Sequence, residues 1–166
     1  SLRTRLEAIP GVRNLSFSVG APVSGNGIYT GFFLTEAGGE ARNFKVNFKS
    51  LDRNYLETYN IKLVGGRWFN ESDEKMNDTD VPENDRRVKY VLNESGVKRL
   101  GFQDAEEIIG KHVTTGVGDI SAEVIGVLED FHVASLHSEI EPVVFAVMPN
   151  FYYEVGLKID TENLQE

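Results

Sequence analysis

Hydrophobic and polar residues alternate in several short stretches of this chain, with the two-residue period of half-buried β-strands. In Asn43–Ser50 the alternation turns three phenylalanine and valine side chains inward and three polar side chains, including Lys49, outward. One solvated face of this kind is typical of an antiparallel sheet. Strands are predicted over these stretches: Val12–Val19, Ile28–Leu34, Asn43–Ser50, Val88–Leu92, Lys111–Thr115, Ala122–Leu128, Val143–Met148 and Glu154–Ile159.

Short helices are predicted between these strands. Asp52, Asn93 and Asp104 each precede a helical stretch and are residue types that cap helix N-termini, while Gly101 follows a helix end. The stretches with helical spacing are Leu2–Ile9, Arg53–Tyr59, Glu94–Leu100 and Ala105–Ile109. Short helices and mixed, largely antiparallel sheets together predict an α+β fold.

The stretch Ser121–Met148 organises the chain. Two apolar strands flank a polar elbow that begins at Glu129, and Pro142 ends a short helical segment before the second strand. Two buried strands around a fixed corner predict a crossing through the core.

Length, charge and composition narrow the class of protein. A chain of 166 residues predicts one domain or two small lobes, and the formal net charge of −9 argues against a broad basic face for nucleic acid. No apolar run approaches the roughly 18 residues of a membrane helix, and there are no cysteines. Glu71–Asp85 holds seven acidic residues and predicts a mobile insertion that a basic partner surface could grip.

Candidate chemistry centres on the histidines of the elbow. His132 and His137 are five residues apart, which is not the spacing of a helical metal pair, and no nucleophile motif accompanies them. A structural elbow is favoured, and a hydrolase that uses Asp130, His132 and His137 stays open as an alternative. Neither Gly65-Gly66-Arg67 nor Gly116-x-Gly118 fits a phosphate loop. We expect no catalytic residues, no metal and no cofactor.

An aromatic set offers a second alternative. Helical spacing and apolar neighbours favour a core role for these rings, and a ligand pocket in a stand-alone binding module is the other interpretation. The set consists of Tyr55, Tyr59, Trp68 and Phe69.

Short motifs in a fixed order resemble the extracytoplasmic, or periplasmic, core domain of MacB/FtsX-like ABC transporter permeases. Gly126–His132 (GVLEDFH), with Ser135-Leu136-His137 and Ile140-Glu141-Pro142, carries most of the resemblance. The further matching segments are Pro10-Gly11-Val12, Asp52–Arg67 with Phe69, Val91–Gly101 and Ile109-Gly110-Lys111.

The resemblance implies a two-lobed domain between the first and second membrane helices of a permease. Residues 1–54 and 129–166 would form a discontinuous membrane-proximal lobe, incomplete at its ends, and residues 55–128 an inserted second lobe. Such a domain carries out no reaction. It relays ATP-driven motion to the export of a substrate or to a periplasmic partner, with Gly65-Gly66 and Pro142 as hinge or corner positions.

The resemblance also implies partners and a location. The partners would be the permease's own membrane helices and a cytoplasmic ATPase subunit or domain, with a periplasmic adaptor, a substrate protein or a second copy as further possibilities, and no nucleic acid. The domain would be the periplasmic part of a bacterial inner-membrane protein.

Overall fold

The computed structural model describes residues 1–37, 44–131 and 139–161. Within these residues the strands are β1 (Val12–Ser18), β2 (Ile28–Leu34), β3 (Phe44–Ser50), β4 (Leu63–Gly66), β5 (Lys89–Asn93), β6 (His112–Thr115), β7 (Ser121–Leu128), β8 (Val143–Ala146) and β9 (Glu154–Ile159). The helices are α1 (Leu2–Glu7), α2 (Tyr55–Tyr59), α3 (Glu71–Lys75), α4 (Glu94–Arg99) and α5 (Ala105–Ile108). The combination of short helices with mixed sheets confirms the α+β prediction.

Seven of these strands form one large sheet, in the order β4-β7-β5-β8-β3-β2-β6. An additional pairing of β6 with β7 closes six of them into a ring, which leaves β4 as an appended edge strand. The pairs β3–β8 and β5–β7 are parallel and the others are antiparallel. Below, these seven strands with α3, α4 and α5 are called the large unit.

The large sheet carries apolar clusters on both faces. Along β5, Tyr90 and Leu92 pack in one buried cluster and Val91 in the other, as the two-residue period of a strand requires. The first cluster includes Phe32 and Phe48, and the second includes Phe145. Burial on both faces explains why the central strands contain long apolar runs.

A second, two-stranded sheet pairs β1 with β9 in antiparallel register, with Leu15 opposite Leu157. Helix α1 lies against β1, where the Arg3 guanidinium is 4.9 Å from the centre of the Phe17 ring. Helix α2 packs against both strands of this sheet. Below, α1, β1, α2 and β9 are called the small unit.

Strand pairing differs from the grouping that the sequence predicted. We expected β2, β3 and β8 to associate with β1 and β9, yet they pair with β5 and β6 in the large sheet. The parallel partner of β3 is β8, about a hundred residues further along the chain. The pattern of apolar residues predicts each strand but does not say which strands become neighbours.

The solvated face predicted for β3 is confirmed at Lys45 and is wrong at Asn47 and Lys49. Asn47 and Lys49 are both 0% exposed, because the segment before β2 covers their side of the strand. The Lys49 ammonium donates hydrogen bonds to the carbonyl oxygens of Ala21 (3.1 Å) and Asn26 (2.8 Å). These carbonyls replace the water that the alternating pattern led us to expect.

The acidic stretch Glu71–Asp85 is anchored to the large unit at its N-terminal half, contrary to the predicted mobile insertion. Asn70 caps α3 through bonds from the N–H groups of Ser72 and Asp73, and the Asp73 carboxylate accepts from the Asn70 N–H in return. Asn77 is 2% exposed and donates to the carbonyls of Asp73 and Arg87. The number of acidic residues in this stretch does not predict these specific contacts.

Several predictions fall on residues 38–43, 132–138 and 162–166, which lie outside the described residues. They are the turn at Gly38-Gly39, the elbow residues His132 and His137 with most of the short helix that follows, and the final helix after Thr161.

Candidate functional site

The small and large units meet at a buried carboxylate. Asp52 is 2% exposed and stands between β3 and α2. Its Oδ1 accepts hydrogen bonds from Ser16 Oγ (2.6 Å) and the Asn54 N–H (3.1 Å), and its Oδ2 accepts from the Phe17 N–H (2.9 Å). Arg3, on α1, completes the set with an ion pair to Oδ2. One side chain therefore holds three elements of the small unit at the end of β3.

This arrangement corrects the predicted role of Asp52 as the N-cap of a helix at Arg53. Helix α2 begins at Tyr55, its N-cap position is Asn54, and the Asn54 side chain donates to the Leu15 carbonyl instead of capping. Asp52 had the residue type and position of a cap, but most of its partners are 35 to 49 residues away in sequence.

Backbone pairing continues across the junction. The Val19 N–H donates to the Ser50 carbonyl (2.8 Å) and the Asp52 N–H to the Phe17 carbonyl (3.0 Å). Between these bonds Ser18 and Leu51 face each other as an antiparallel bridge. The end of β1 is thus hydrogen-bonded directly to the chain that leaves β3.

Two tyrosine hydroxyls, one buried and one partly buried, add hydrogen bonds at the junction. Tyr55 donates to the Gly20 carbonyl (3.0 Å) and Tyr152 donates to the Leu51 carbonyl (3.0 Å). Burial raises the pKa of both phenols. Both hydroxyls are therefore protonated donors at physiological pH, and they bind the chain at Gly20 and Leu51 to the junction.

Gly65 and Gly66, predicted as a hinge or corner position, lie in a paired strand. Both glycines lie in β4 and pair with Val127 and Gly126 of β7. Gly66 has a φ of +65°, and a Cβ added there would lie 2.3 Å from the Ile125 carbonyl oxygen. Gly66 allows two backbones to approach closely and Gly65 leaves room for the Ala105 side chain, so both have a packing role.

Asp130 has a structural role at the start of α4. Its carboxylate accepts hydrogen bonds from the Ser95 N–H and Ser95 Oγ, both at 2.8 Å, and its own N–H donates to Glu94. His132 and His137 lie outside the described residues, so the alternative of a hydrolase that uses them with Asp130 is not tested. His112 is the first residue of β6. Within the described ranges no group of three His, Cys, Asp or Glu side chains could hold a metal ion.

The aromatic set belongs to the core, as the favoured interpretation predicted. Tyr55 and Phe69 are 0% and 5% exposed, while Tyr59 and Trp68 are partly buried against the same cluster. Tyr55 contacts Tyr59 and Trp68 contacts Phe69, each pair with ring centres 4.7 Å apart. Trp68 also donates from Nε1 to the Arg53 carbonyl (2.8 Å), which joins it to the α2 connection.

Two surface features were not predicted from sequence. An apolar strip on β9 exposes 37–45% of Val155, Leu157 and Ile159. A groove of about 390 Å³ lies where the chain between α3 and β5 meets the ends of β6, β7 and β8. Both are defined by long-range packing, which a local pattern does not report.

The comparisons with known proteins agree with this architecture. The family model described as the MacB-like periplasmic core domain matches residues 3–161. The chain belongs to this family. The search of curated proteins found no match.

Three solved structures share the fold at 14–16% sequence identity. The extracellular domain of the noncanonic ABC-type transporter YknZ from Gram-positive bacteria is 15% identical with a TM-score of 0.63, and the match covers 95% of this chain and 71% of that one. The periplasmic region of MacB from Actinobacillus actinomycetemcomitans is 16% identical with a TM-score of 0.65, and the match covers 98% of this chain and 64% of that one. A domain of a putative permease protein from Porphyromonas gingivalis is 14% identical with a TM-score of 0.57, and the match covers 96% of this chain and 66% of that one.

The chain therefore spans about two thirds of the length of these relatives. Of the helices in the described part of the chain, none combines the length and the apolar character that a membrane crossing requires.

Proposed function

We propose that this member of the MacB-like periplasmic core domain family is a non-catalytic relay in an ABC transporter permease, on the extracytoplasmic side of a bacterial inner membrane. It receives movement from the membrane helices and transmits it to an exported substrate or to a periplasmic partner. The observation that carries the proposal is the family match over residues 3–161. The partners are the rest of the permease and a cytoplasmic ATPase subunit or domain.

The geometry supports different roles for the small and large units. The first and last strands pair in the small unit, where the Asp160 N–H donates to the Gly11 carbonyl at 2.8 Å. Segments that continue from both ends would pull on this one small sheet. We propose that the membrane-proximal lobe is the small unit and that the large unit is the distal lobe. This replaces the division at residues 54/55 and 128/129 as our working boundary.

The Asp52 junction supplies the coupling in this proposal. A relay must be stiff at the point where displacement passes from one unit to the other, and buried charge-assisted hydrogen bonds are shorter and stronger than neutral ones. Arg3 ties α1 to that junction, with about a third of its side chain exposed. Its replacement leaves the core intact and removes one coupling contact.

Amide hydrogen exchange on the complete permease, with its ATPase, tests the proposal without knowledge of the substrate. The expected result is that trapping the ATP-bound state changes exchange in the small unit and, beyond the junction, in the large unit. Arg3→Ala should keep the response of the small unit and weaken that of the large unit.

Arg5→Ala is the matched control, since Arg5 is an exposed residue of the same helix and its replacement removes the same charge. It should leave both responses unchanged. Exchange that is identical in the nucleotide-free and ATP-bound states throughout this domain would contradict the relay.

A further inference from the structure

The groove beside β5 has the dimensions of a site for one small molecule. Its volume of about 390 Å³ lies within the range of 300–1,000 Å³ that ligand pockets occupy. All of its lining residues lie in the described ranges. It is a concave feature bounded by three strand ends and a connecting segment, so it fits a single molecule better than a flat membrane surface.

The groove combines an apolar lining with a charged rim. Apolar side chains from β7 and the residue before it, from the residue before β5 and from the chain after β8 contribute to its lining. They are Val88, Ile120, Ala122, Val147 and Met148. Val147 is 2% exposed and Ala122 is 3% exposed, so this part of the lining is continuous with the protein core. A ligand with an apolar body would replace water at this surface.

Four charged side chains at the rim fall into two groups. Lys89 and Glu123 form an ion pair with each other, whereas Arg86 and Arg87 bind backbone carbonyls. Lys89 donates to Glu123 at 2.5 Å, and the two side chains largely neutralise each other. Arg86 donates from Nε to the Val81 carbonyl (3.1 Å), and Arg87 donates to the carbonyls of Arg86 and Asn84.

Neither arginine pairs with a carboxylate in the part of the chain that the structure describes. In a chain with 26 acidic residues, two consecutive arginines that line one groove and have no acidic partner offer an anion site.

We propose that this groove binds a small amphipathic carboxylate. Its apolar body would lie against Val88 and Met148, and its head group would lie at Arg86 and Arg87. The guanidinium fork matches a carboxylate in geometry and charge. Glu83 is the one remaining carboxylate of the rim, and it opposes the anionic head. The proposal does not depend on the relay function, so each can fail without the other.

The test is a titration of this 166-residue chain with decanoate, monitored by two-dimensional amide NMR. Decanoate should shift the resonances of Val88, Ala122 and Met148 in a saturable manner. Decanol, with the same chain and no charge, should bind at least tenfold more weakly, and decyltrimethylammonium should not shift these resonances. Equal affinities for decanoate and decanol, or shifts centred on the β9 strip, would overturn the assignment.

Variants locate the head group. Arg86→Gln combined with Arg87→Gln should reduce decanoate affinity at least tenfold, to the level of decanol, while Arg5→Gln on α1 should leave it unchanged. Glu83→Gln should tighten decanoate binding, and any other result contradicts the proposed position of the charge.

The comparison of decanoate with decanol in the unmodified chain keeps the proposal testable if the double variant does not fold. Binding of vesicles that contain phosphatidylglycerol, without binding of monomeric decanoate, would also overturn the proposal, since it would indicate a membrane surface.

Discussion

The side chain of Asn93 holds β8 as well as the helix that it caps. Its Oδ1 accepts from the Gly96 N–H (3.0 Å), as a helix N-cap does, and also from the Val143 N–H (2.8 Å). Its Nδ2 donates to the Glu141 carbonyl (2.8 Å), and the residue is 0% exposed. The predicted cap is confirmed, but it is half of the role.

We therefore expect Asn93→Ala to cost more than the roughly 1 kcal/mol of a lost cap. Loss of the cap and of partners for two further buried groups should cost about 3 kcal/mol in total. Urea unfolding of the variant checks this value. Asn93→Ser and Asn93→Asp should also be destabilising, because an aspartate carboxylate has no donor and a serine side chain is too short to cap Gly96 and reach Glu141 at the same time. A serine variant as stable as the unmodified protein would contradict the bridging role.

Local signals in the sequence predicted elements well and pairings poorly. Eight of the strands and the cap at Asn93 follow from residue pattern and residue type. Strand β4 was missed because its glycine pair is typical of a turn. The burial of Lys49 and the role of Asp52 depend on contacts from distant segments, and a pattern within a short window contains no information about them.

Lys49 should make stability rise with pH in the mildly alkaline range. Burial lowers its pKa from 10.5 to about 8, with Glu154 and Glu141 acting in the opposite direction. Below pH 8 both the folded and unfolded states carry the proton, and the cost of the buried charge is complete. Between pH 8 and 10.5 the unfolded state binds more protons, so the free energy of unfolding increases.

The comparison with Lys49→Met isolates this effect, because the tyrosines titrate in both proteins. Between pH 8 and 10.5 the free energy of unfolding of the unmodified protein, relative to that of Lys49→Met, should rise by on the order of 3 kcal/mol. Chemical unfolding at pH 7, 8, 9 and 10 measures the difference. A constant difference at all four values would show that Lys49 is not the titrating group.

Arg67 and Asp73 should make stability fall at acidic pH. Burial alone would raise the pKa of Asp73, but the hydrogen bonds from Arg67 (2.7 and 3.2 Å) and from the Asn70 N–H outweigh it, and the pKa is lowered. The stabilisation is complete above the ordinary value of 3.8 and is lost as the pH falls through the lower folded value.

Asp73→Asn should therefore cost about 1–2 kcal/mol at pH 6, a value reduced for the partial exposure of Arg67. The difference from the unmodified protein should shrink below about pH 4, near the ordinary pKa of an aspartate. Glu71→Gln, at an exposed ion pair on the same helix, is the control and should have a much smaller effect.

Deletion of residues 72–85 should lower the melting temperature, and an unchanged value would restore the prediction of a loose insertion.

Movement of this domain during the ATP cycle is the central claim, and energy transfer to the membrane surface measures it most directly. Because this chain contains no cysteine, Tyr153→Cys, at a residue that is 70% exposed and directly precedes β9, places a single donor dye at the edge of the small unit. Glu83→Cys, between α3 and β5, places one at the edge of the large unit. The complete permease with its ATPase is reconstituted with acceptor-labelled lipid. The relay predicts that transfer from both positions changes between the nucleotide-free and ATP-bound states, and that Arg3→Ala reduces the change at the Glu83 position. Transfer that stays constant at both positions while ATP is hydrolysed would contradict it.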